Sequence, residues 1–95
     1  MKQLFVYGTL LDKHFTEDLL GHRIQTYSET LEGYKKNGLN IIEAEFGKVS
    51  GVIFEVSPKD LIILDRYENV ADGLYKQINV TLQSGVQAIA YQRII

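Results

Sequence analysis

The sequence predicts an α+β domain in which a small, curled β-sheet approaches a barrel and a helix covers one of its openings. Three observations lead to this prediction. Several short segments have the composition and alternation of β-strands. One segment carries clear helix start signals. The chain of 95 residues is long enough to form a single hydrophobic core. We therefore expect a single domain over residues 1–95.

The first predicted strand runs from Lys2 to Gly8, and every position from Leu4 to Tyr7 is apolar or aromatic. Such a run is typical of a strand that is buried on both faces. Gly8 then allows a sharp turn and a close approach of a ligand to the main chain, and N–H groups after such a turn can bind an anion. The alternative is that Gly8 merely ends the strand, and the local pattern by itself favours this alternative.

The next part of the chain, up to residue 56, is predicted to be mainly strand. A short polar segment, residues 14–21, could form a helical turn. Asn37-Gly38 is a turn signal, whereas Gly47 and Gly51 are expected to break the β-structure around them. The strands expected here from their β-branched, aromatic and alternating residues cover residues 22–34, 39–46 and 52–56.

A helix is predicted from Pro58 to Glu68 because its start signals are strong. Ser57 can cap the first turn, Pro58 suits the first helical position, and Asp60 lies three residues after the cap, near the positive end of the helix dipole. Asn69 can adopt the left-handed conformation that ends a helix.

The end of the chain is predicted to form a β-hairpin. Residues 74–83 and 86–95 alternate between apolar and polar side chains, and Ser84-Gly85 between them is a turn signal. The predicted sheet therefore has five to seven strands.

The composition excludes several classes of function. A formal net charge of -2, without a basic run longer than Lys35-Lys36, argues against a nucleic-acid partner. No apolar run approaches the roughly 18 residues of a membrane helix, and no signal peptide is visible. Cysteine is absent, so neither disulfides nor a thiol nucleophile are expected. These features indicate a cytoplasmic protein without a membrane partner.

No metal or cofactor is expected. His14 and His22 stand eight residues apart with no cysteine nearby, which is not the spacing of a zinc site. We expect both histidines at the surface.

Glu68 is the candidate catalytic residue. One sector of the predicted helix, at about 100° per residue, contains Leu61, Leu64, Asp65 and Glu68. Because Leu61 and Leu64 suit the core, Glu68 should point toward the core or a cleft, at the negative end of the helix dipole. Burial and the dipole both raise a carboxyl pKa, which suits a general acid/base. The alternative is a solvated glutamate near a helix end, which is the usual case.

Three segments in this order resemble a known family. They are Phe5-Val6-Tyr7-Gly8-Thr9-Leu10-Leu11, Gly51-Val52-Ile53-Phe54-Glu55-Val56, and Leu64-Asp65-Arg66-Tyr67-Glu68 followed by Tyr75. The chain is similar to the gamma-glutamylcyclotransferase-like, or AIG2-like, family, whose signatures are a Tyr-Gly-Ser/Thr-Leu loop and a Leu-Asp-x-x-Glu helix end. Ala90-Tyr91 in the last predicted strand is also similar.

The resemblance implies a small mixed β-barrel with one or two flanking helices. It implies that Glu68 is the general acid/base and that Asp65, which matches the motif's Asp, is structural. The family's loop binds the glutamyl end of the substrate largely through backbone groups, and a tyrosine lies near the pocket. The substrate-binding residues implied in this way are Tyr7, Gly8, Thr9, Leu10 and Tyr75.

The implied reaction converts a γ-glutamyl amine or peptide into 5-oxoproline and releases the amine, so the partner is a small γ-glutamyl substrate. Asn69 stands where the family usually has Gly, which costs little because Asn tolerates the left-handed conformation. The segment of residues 34–49 is short and lacks the family's Gly-Tyr-Pro-like run, so the identity of the substrate is left open.

Two alternatives to an enzyme remain. One is a non-catalytic module that binds a small molecule in the same pocket, and the other is an interaction protein that uses its strand edges. Neither the oligomeric state nor the pathway follows from the sequence, and a monomer is compatible with it.

Overall fold

The computed structural model describes residues 1–94 and consists of a mixed five-stranded sheet, curled into a half-barrel, with two α-helices. The α+β fold class predicted from the sequence is confirmed. In chain order the elements are β1 (Lys2–Val6), a 3₁₀ turn (Thr9–Leu11), α1 (Lys13–Leu20), β2 (Tyr27–Asn37), β3 (Asn40–Val56), α2 (Pro58–Tyr67), β4 (Tyr75–Thr81) and β5 (Gln87–Arg93).

Strand β1 is the centre of the sheet, whose strand order is β2-β3-β1-β5-β4. It pairs antiparallel with β3 and parallel with β5. Leu4 and Val6 pack in an apolar cluster that includes Leu20 of α1 and Leu64 of α2, while Phe5 packs in a second cluster. The predicted burial of this strand on both faces is confirmed.

Strand β3 corrects a prediction. Residues 39–46 and 52–56 are not separate strands but parts of one strand of 17 residues, and Gly47 and Gly51 lie inside it. A Cβ at Gly47 would come within 2.2 Å of the carbonyl oxygen of Tyr34, and one at Gly51 within 2.3 Å of that of Val6. These glycines permit close approach of neighbouring backbone and do not break the strand.

The turn between β2 and β3 lies one residue further along the chain than the turn signal Asn37-Gly38. Asn37 pairs with Asn40, so Gly38 and Leu39 are the two turn residues. Gly38 has a φ of 63°, which a residue with a side chain adopts less readily.

The segment after the first strand is more helical than predicted. Residues 14–21, expected to hold at most a turn, form most of α1, which begins after Asp12 and ends at Gly21. The Asp12 side chain accepts a hydrogen bond from the Phe15 N–H at 3.1 Å, and Gly21 is left-handed with a φ of 78°. Capping at both ends stabilises this short helix.

Helix α2 begins as the sequence predicts. The Asp60 N–H donates to Ser57 Oγ at 3.1 Å, and the Ser57 N–H donates to Asp60 Oδ2 at 3.0 Å. The helix ends at Tyr67, one residue earlier than predicted, so Glu68 is the capping residue that follows it. Asn69 is left-handed with a φ of 54°, as predicted.

His22 connects the loop after α1 to the start of α2. Its Nδ1 lies 2.8 Å from the carbonyl oxygen of Arg23, and its Nε2 lies 2.8 Å from Asp60 Oδ1. Both partners only accept hydrogen bonds, so the two bonds require a doubly protonated ring. The bonds to Arg23 and then to Asp60 raise the pKa of His22. His22 and His14 are both at the surface, as predicted.

The pKa of the Asp60 carboxyl group changes in the opposite direction to that of His22. Its burial would raise its pKa, but hydrogen bonds from Ser57 and His22 outweigh burial and lower the pKa below its ordinary value. Asp60 therefore favours its charged form, in which it accepts hydrogen bonds from the Ser57 N–H at the start of α2 and from the protonated His22 ring.

The C-terminal hairpin is confirmed with shorter strands. β4 and β5 cover residues 75–81 and 87–93, within the predicted 74–83 and 86–95. Ile95, the last residue of the predicted strand, lies outside the described residues. Within residues 1–94, neither helix has the length and apolar character needed to cross a membrane.

We expect Gly51→Ala to lower the free energy of unfolding by about 1–3 kcal/mol, because the added methyl group would be forced against the Val6 carbonyl and the Phe5 ring. Urea denaturation measures this loss. Ser50→Ala, at an exposed neighbouring position of the same strand, is the control and should change stability much less. Equal stabilities of the two variants would contradict the close-approach explanation.

We expect the His22–Asp60 pair to stabilise the fold most between the ordinary pKa values of 3.8 for Asp60 and 6.5 for His22. Because the folded-state pKa of His22 is raised, its contribution is lost as the pH rises through that value. The free energy lost on His22→Gln should thus be larger at about pH 6 than at about pH 9 in urea denaturation. His14→Gln, at an exposed site, is the control. A pH-independent loss for His22→Gln would contradict the doubly protonated ring.

Candidate active site

One cavity, of about 270 Å³, lies where β1 ends and α2 ends. It brings together every site residue predicted from the sequence. These lining residues are Tyr7, Gly8, Thr9, Leu10, Glu68 and Tyr75. Five further residues complete the lining, namely Phe5, Val6, Leu39, Tyr67 and Tyr91.

The loop after β1 presents main-chain groups to this cavity. In its 3₁₀ turn, the Leu11 N–H donates to the Gly8 carbonyl at 2.9 Å and the Asp12 N–H donates to the Thr9 carbonyl at 3.2 Å. The N–H groups of Gly8, Thr9 and Leu10 donate none of the bonds within the turn, as is usual at the start of a helical segment. The residues that carry these three N–H groups line the cavity.

Helix α1 holds the loop from behind. The hydroxyl of Thr16, which is fully buried, donates to the Leu10 carbonyl at 2.8 Å. Leu10 is itself buried in the cluster that contains Leu20. The backbone of the loop is thus fixed by a hydrogen bond and by apolar packing.

Glu68 reaches the cavity from the end of α2. Its N–H donates to the Leu64 carbonyl at 2.9 Å, and Leu64 is fully buried, so the core anchors the last turn that carries the carboxylate. Glu68 is half-buried, and burial raises the pKa of its carboxyl group above the ordinary value of 4.5. The direction agrees with the prediction made from the helical wheel.

Three tyrosines surround the carboxylate. Burial is the main cause that raises the pKa of Tyr7, Tyr75 and Tyr91, and the charge of Glu68 raises each of them further. In Tyr91, the hydrogen bond to Asp65 comes second after burial. The phenols therefore stay protonated near neutral pH.

Asp65 supports the site without lining the cavity. Its Oδ1 accepts a hydrogen bond from the Tyr91 hydroxyl at 2.6 Å and another from Gln77 Nε2 at 2.7 Å. It thereby connects α2 to β4 and β5. This position agrees with the structural role that the resemblance implies.

The hairpin turn between β2 and β3 forms part of the rim. The Tyr75 hydroxyl donates to the Leu39 carbonyl at 2.9 Å, and the Arg93 N–H donates to Asn40 Oδ1 at 2.8 Å. Gln92 Nε2 donates to the Ile41 carbonyl at 3.1 Å. These three hydrogen bonds join the turn between β2 and β3 to strands β4 and β5.

Five lining residues were not predicted from the sequence as members of the site, namely Phe5, Val6, Leu39, Tyr67 and Tyr91. Phe5 and Val6 belong to the first motif segment. Tyr67 precedes Glu68 within the helix-end motif, and Tyr91 was noted only for its likeness to the family's last strand. Leu39 had no sequence signal, because it reaches the rim through contacts with residues more than thirty positions away.

Glu68 is the acidic side chain of the cavity lining, and the positive charge of Arg93, which is not a lining residue, opposes the rise of the Tyr75 pKa. Glu68 and the tyrosines are the ionisable residues of this lining, which contains no Lys, Arg or His. In the part of the chain that the structure describes, no group of three or more His, Cys, Asp or Glu side chains is placed to hold a metal ion.

Comparison with known proteins gives a consistent result. The model of the family described as "Gamma-glutamyl cyclotransferase, AIG2-like" matches residues 4–93. AIG2-like protein D of Arabidopsis thaliana is 34% identical over 87 residues, which cover 84% of this chain and 55% of that protein. The chain thus spans about half the length of this curated relative.

Solved structures share the fold. A solution structure of an Arabidopsis thaliana protein matches with a TM-score of 0.78 and 26% identity, over 97% of this chain and 61% of the other. A structure of a protein described as gamma-glutamyl cyclotransferase matches with a TM-score of 0.80 and 18% identity, over 98% of this chain and 66% of the other. The second likeness shows a common fold.

We expect the Glu68 carboxyl group to titrate above its ordinary pKa of 4.5, because burial disfavours its charged form. NMR titration of the glutamate side-chain carboxyl carbons measures this value. A Glu68 signal that titrates at 4.5 or below would contradict the assigned burial.

Proposed function

The chain belongs to the gamma-glutamyl cyclotransferase, AIG2-like family, and we propose that it cyclises the γ-glutamyl group of an amine or peptide to 5-oxoproline and releases the amine. One observation carries the proposal: the half-buried carboxylate of Glu68 and the main-chain donors of Gly8, Thr9 and Leu10 line the same cavity. Acid/base chemistry and oxyanion binding can therefore act on one small ligand.

In this proposal, much of the rate acceleration comes from binding the substrate in a conformation in which its two reacting groups are in contact. The α-amine and the γ-carbonyl belong to the same molecule, so the cavity has only to hold them in contact. Well-oriented intramolecular reactions reach effective molarities of ~10⁵ M or more. A cavity of about 270 Å³ suits a glutamyl group, and the released amine can extend through the rim at Leu39 and Tyr67.

Glu68 moves the proton. As a carboxylate it takes a proton from the α-ammonium, and the free amine attacks the γ-carbonyl to form the new C–N bond. The protonated Glu68 then gives the proton to the leaving nitrogen as the old C–N bond breaks. The attacking nitrogen loses its second proton to the Glu68 carboxylate, which passes it to the released amine and is ready for the next cycle. Its raised pKa suits both steps, because burial makes the carboxylate a better proton acceptor than an ordinary glutamate while its acid form can still donate the proton.

The main-chain donors complete the proposed site. During the attack the γ-carbonyl oxygen gains negative charge, and N–H groups held by the Thr16 bond to Leu10 can stabilise it without reorganising. The same set of donors also suits the α-carboxylate of the glutamyl end. The loop thus supplies binding and polarisation, while Glu68 supplies proton transfer.

We expect Glu68→Gln to slow 5-oxoproline release by roughly 10²–10⁴-fold, because the amide cannot accept the proton. Release is measured with γ-glutamylamines, γ-glutamyl dipeptides and glutathione, and circular dichroism checks the fold. Glu45→Gln, at an exposed position on β3, should retain the wild-type rate.

Two other results would change this proposal. A Glu68→Gln variant that keeps most of the wild-type rate would remove Glu68 from the mechanism. Binding of γ-glutamyl compounds by the wild type without any turnover would instead indicate a non-catalytic module of the same fold.

A further inference from the structure

Arg93 lies on the same face of the sheet as the tyrosines of the cavity. It is the direct cross-strand partner of Tyr75, and it stands two residues after Tyr91 on β5. Side chains of residues that are opposite each other, or two apart in one strand, point to the same face of a sheet. Because Tyr75 and Tyr91 both line the cavity, the Arg93 side chain leaves β5 on the cavity side of the sheet.

The charge of Arg93 acts at the edge of this cavity. Burial and the charge of Glu68 raise the pKa of Tyr75, and the charge of Arg93 opposes this rise. The Coulomb interaction weakens with distance, so the guanidinium is close to the phenol. Within residues 1–94, neither of the ion pairs, which are formed by His14 and by His22, includes Arg93.

A second cavity, of about 470 Å³, adjoins the first at Leu39. Leu39 lines both cavities, and the second is completed by Asn37, Asn40, Arg93 and Ile94. Among these five residues, Arg93 carries the only charge. A ligand that extends from the first cavity past Leu39 therefore meets a positive charge.

The side chain of Asn40 adds hydrogen-bond donors beside this charge. It is 5% exposed, and its Oδ1 accepts a hydrogen bond from the Arg93 main-chain N–H at 2.8 Å. The amide oxygen is thus directed to the main chain of β5, and the amide N–H groups are the donors that Asn40 offers to the second cavity. A guanidinium fork next to such an amide matches a carboxylate, which only accepts hydrogen bonds.

We propose that Arg93 and the amide of Asn40 bind a carboxylate on the leaving amine, so that the second cavity is a subsite for a leaving amino acid. This inference rests on the proposed function, which assigns the γ-glutamyl group to the first cavity. The preferred substrates are then γ-glutamyl amino acids, and not γ-glutamylamines whose amine part has no acidic group. Arg93 is in this sense a specificity-determining residue.

Two ligands that differ in one carboxylate test this subsite. Glutaryl-L-alanine and N-ethylglutaramate share the glutaryl chain and its amide, but only the first has a carboxylate beyond the amide nitrogen. Neither has an α-amine, so neither can be cyclised, and NMR titration of the wild type measures their affinities without turnover. We expect glutaryl-L-alanine to bind roughly five- to tenfold more tightly, and a higher ionic strength should reduce this preference.

Variants show whether Arg93 produces the preference. Arg93→Gln should abolish it, and the hydrogen bond to Asn40 is kept because the Arg93 main chain makes it. Arg93→Lys keeps the charge and should retain part of the preference. The matched control is Arg66→Gln, which removes the same charge from an exposed residue at the end of α2 that lines neither cavity. Arg66→Gln should keep the preference.

The proposal is overturned if wild type binds the two ligands equally or binds neither, or if Arg93→Gln keeps the preference. An equal loss in Arg66→Gln would also contradict it, because a long-range effect of charge would then explain the preference. Turnover is measured separately, with γ-glutamyl-L-alanine. Release of 5-oxoproline without the binding preference would remove this subsite and leave the proposed function, whereas the preference without release would retain the subsite and remove the reaction.

Discussion

The burial of β1 on both faces is the constraint on which the rest of the structure depends. Leu4 and Val6 join the cluster under the helices, and Phe5 joins the cluster on the other side. A shift of the strand by one residue would exchange these side chains between the two clusters and disrupt the packing of both. The C-terminal end of β1 is therefore fixed in space. Because the loop from Tyr7 to Leu10 follows directly, the main-chain donors of the cavity take their position from the core.

Helix α2 brings the carboxylate of Glu68 to the same cavity as this loop. The capping box of Ser57 and Asp60 begins the helix, and the buried Leu64 holds its last turn against the sheet. Glu68 follows the last helical residue, where it is half-buried but still lines the cavity. The raised pKa is thus a consequence of how the helix is anchored, since burial is its cause.

Hydrogen bonds fix three of the tyrosines that line the cavity. The Tyr7 and Tyr75 hydroxyls donate to main-chain carbonyls, and the Tyr91 hydroxyl donates to Asp65. Under the proposed function, the N–H groups of the loop bind the oxygen atoms of the substrate, and Glu68 transfers the proton of its amino group.

The sequence by itself determined the elements whose signals are local. The apolar run of β1, the cap at Ser57, the left-handed Asn69 and the motif residues from Tyr7 to Leu10 and Glu68 depend on neighbours within a few positions. Only the tertiary structure decided the continuity of β3 through Gly47 and Gly51, the place of Leu39 at the rim, and the direction of the phenol hydrogen bonds. The physical reason is that close backbone approach and buried hydrogen bonds join residues that are distant in sequence, and no local pattern encodes the partner.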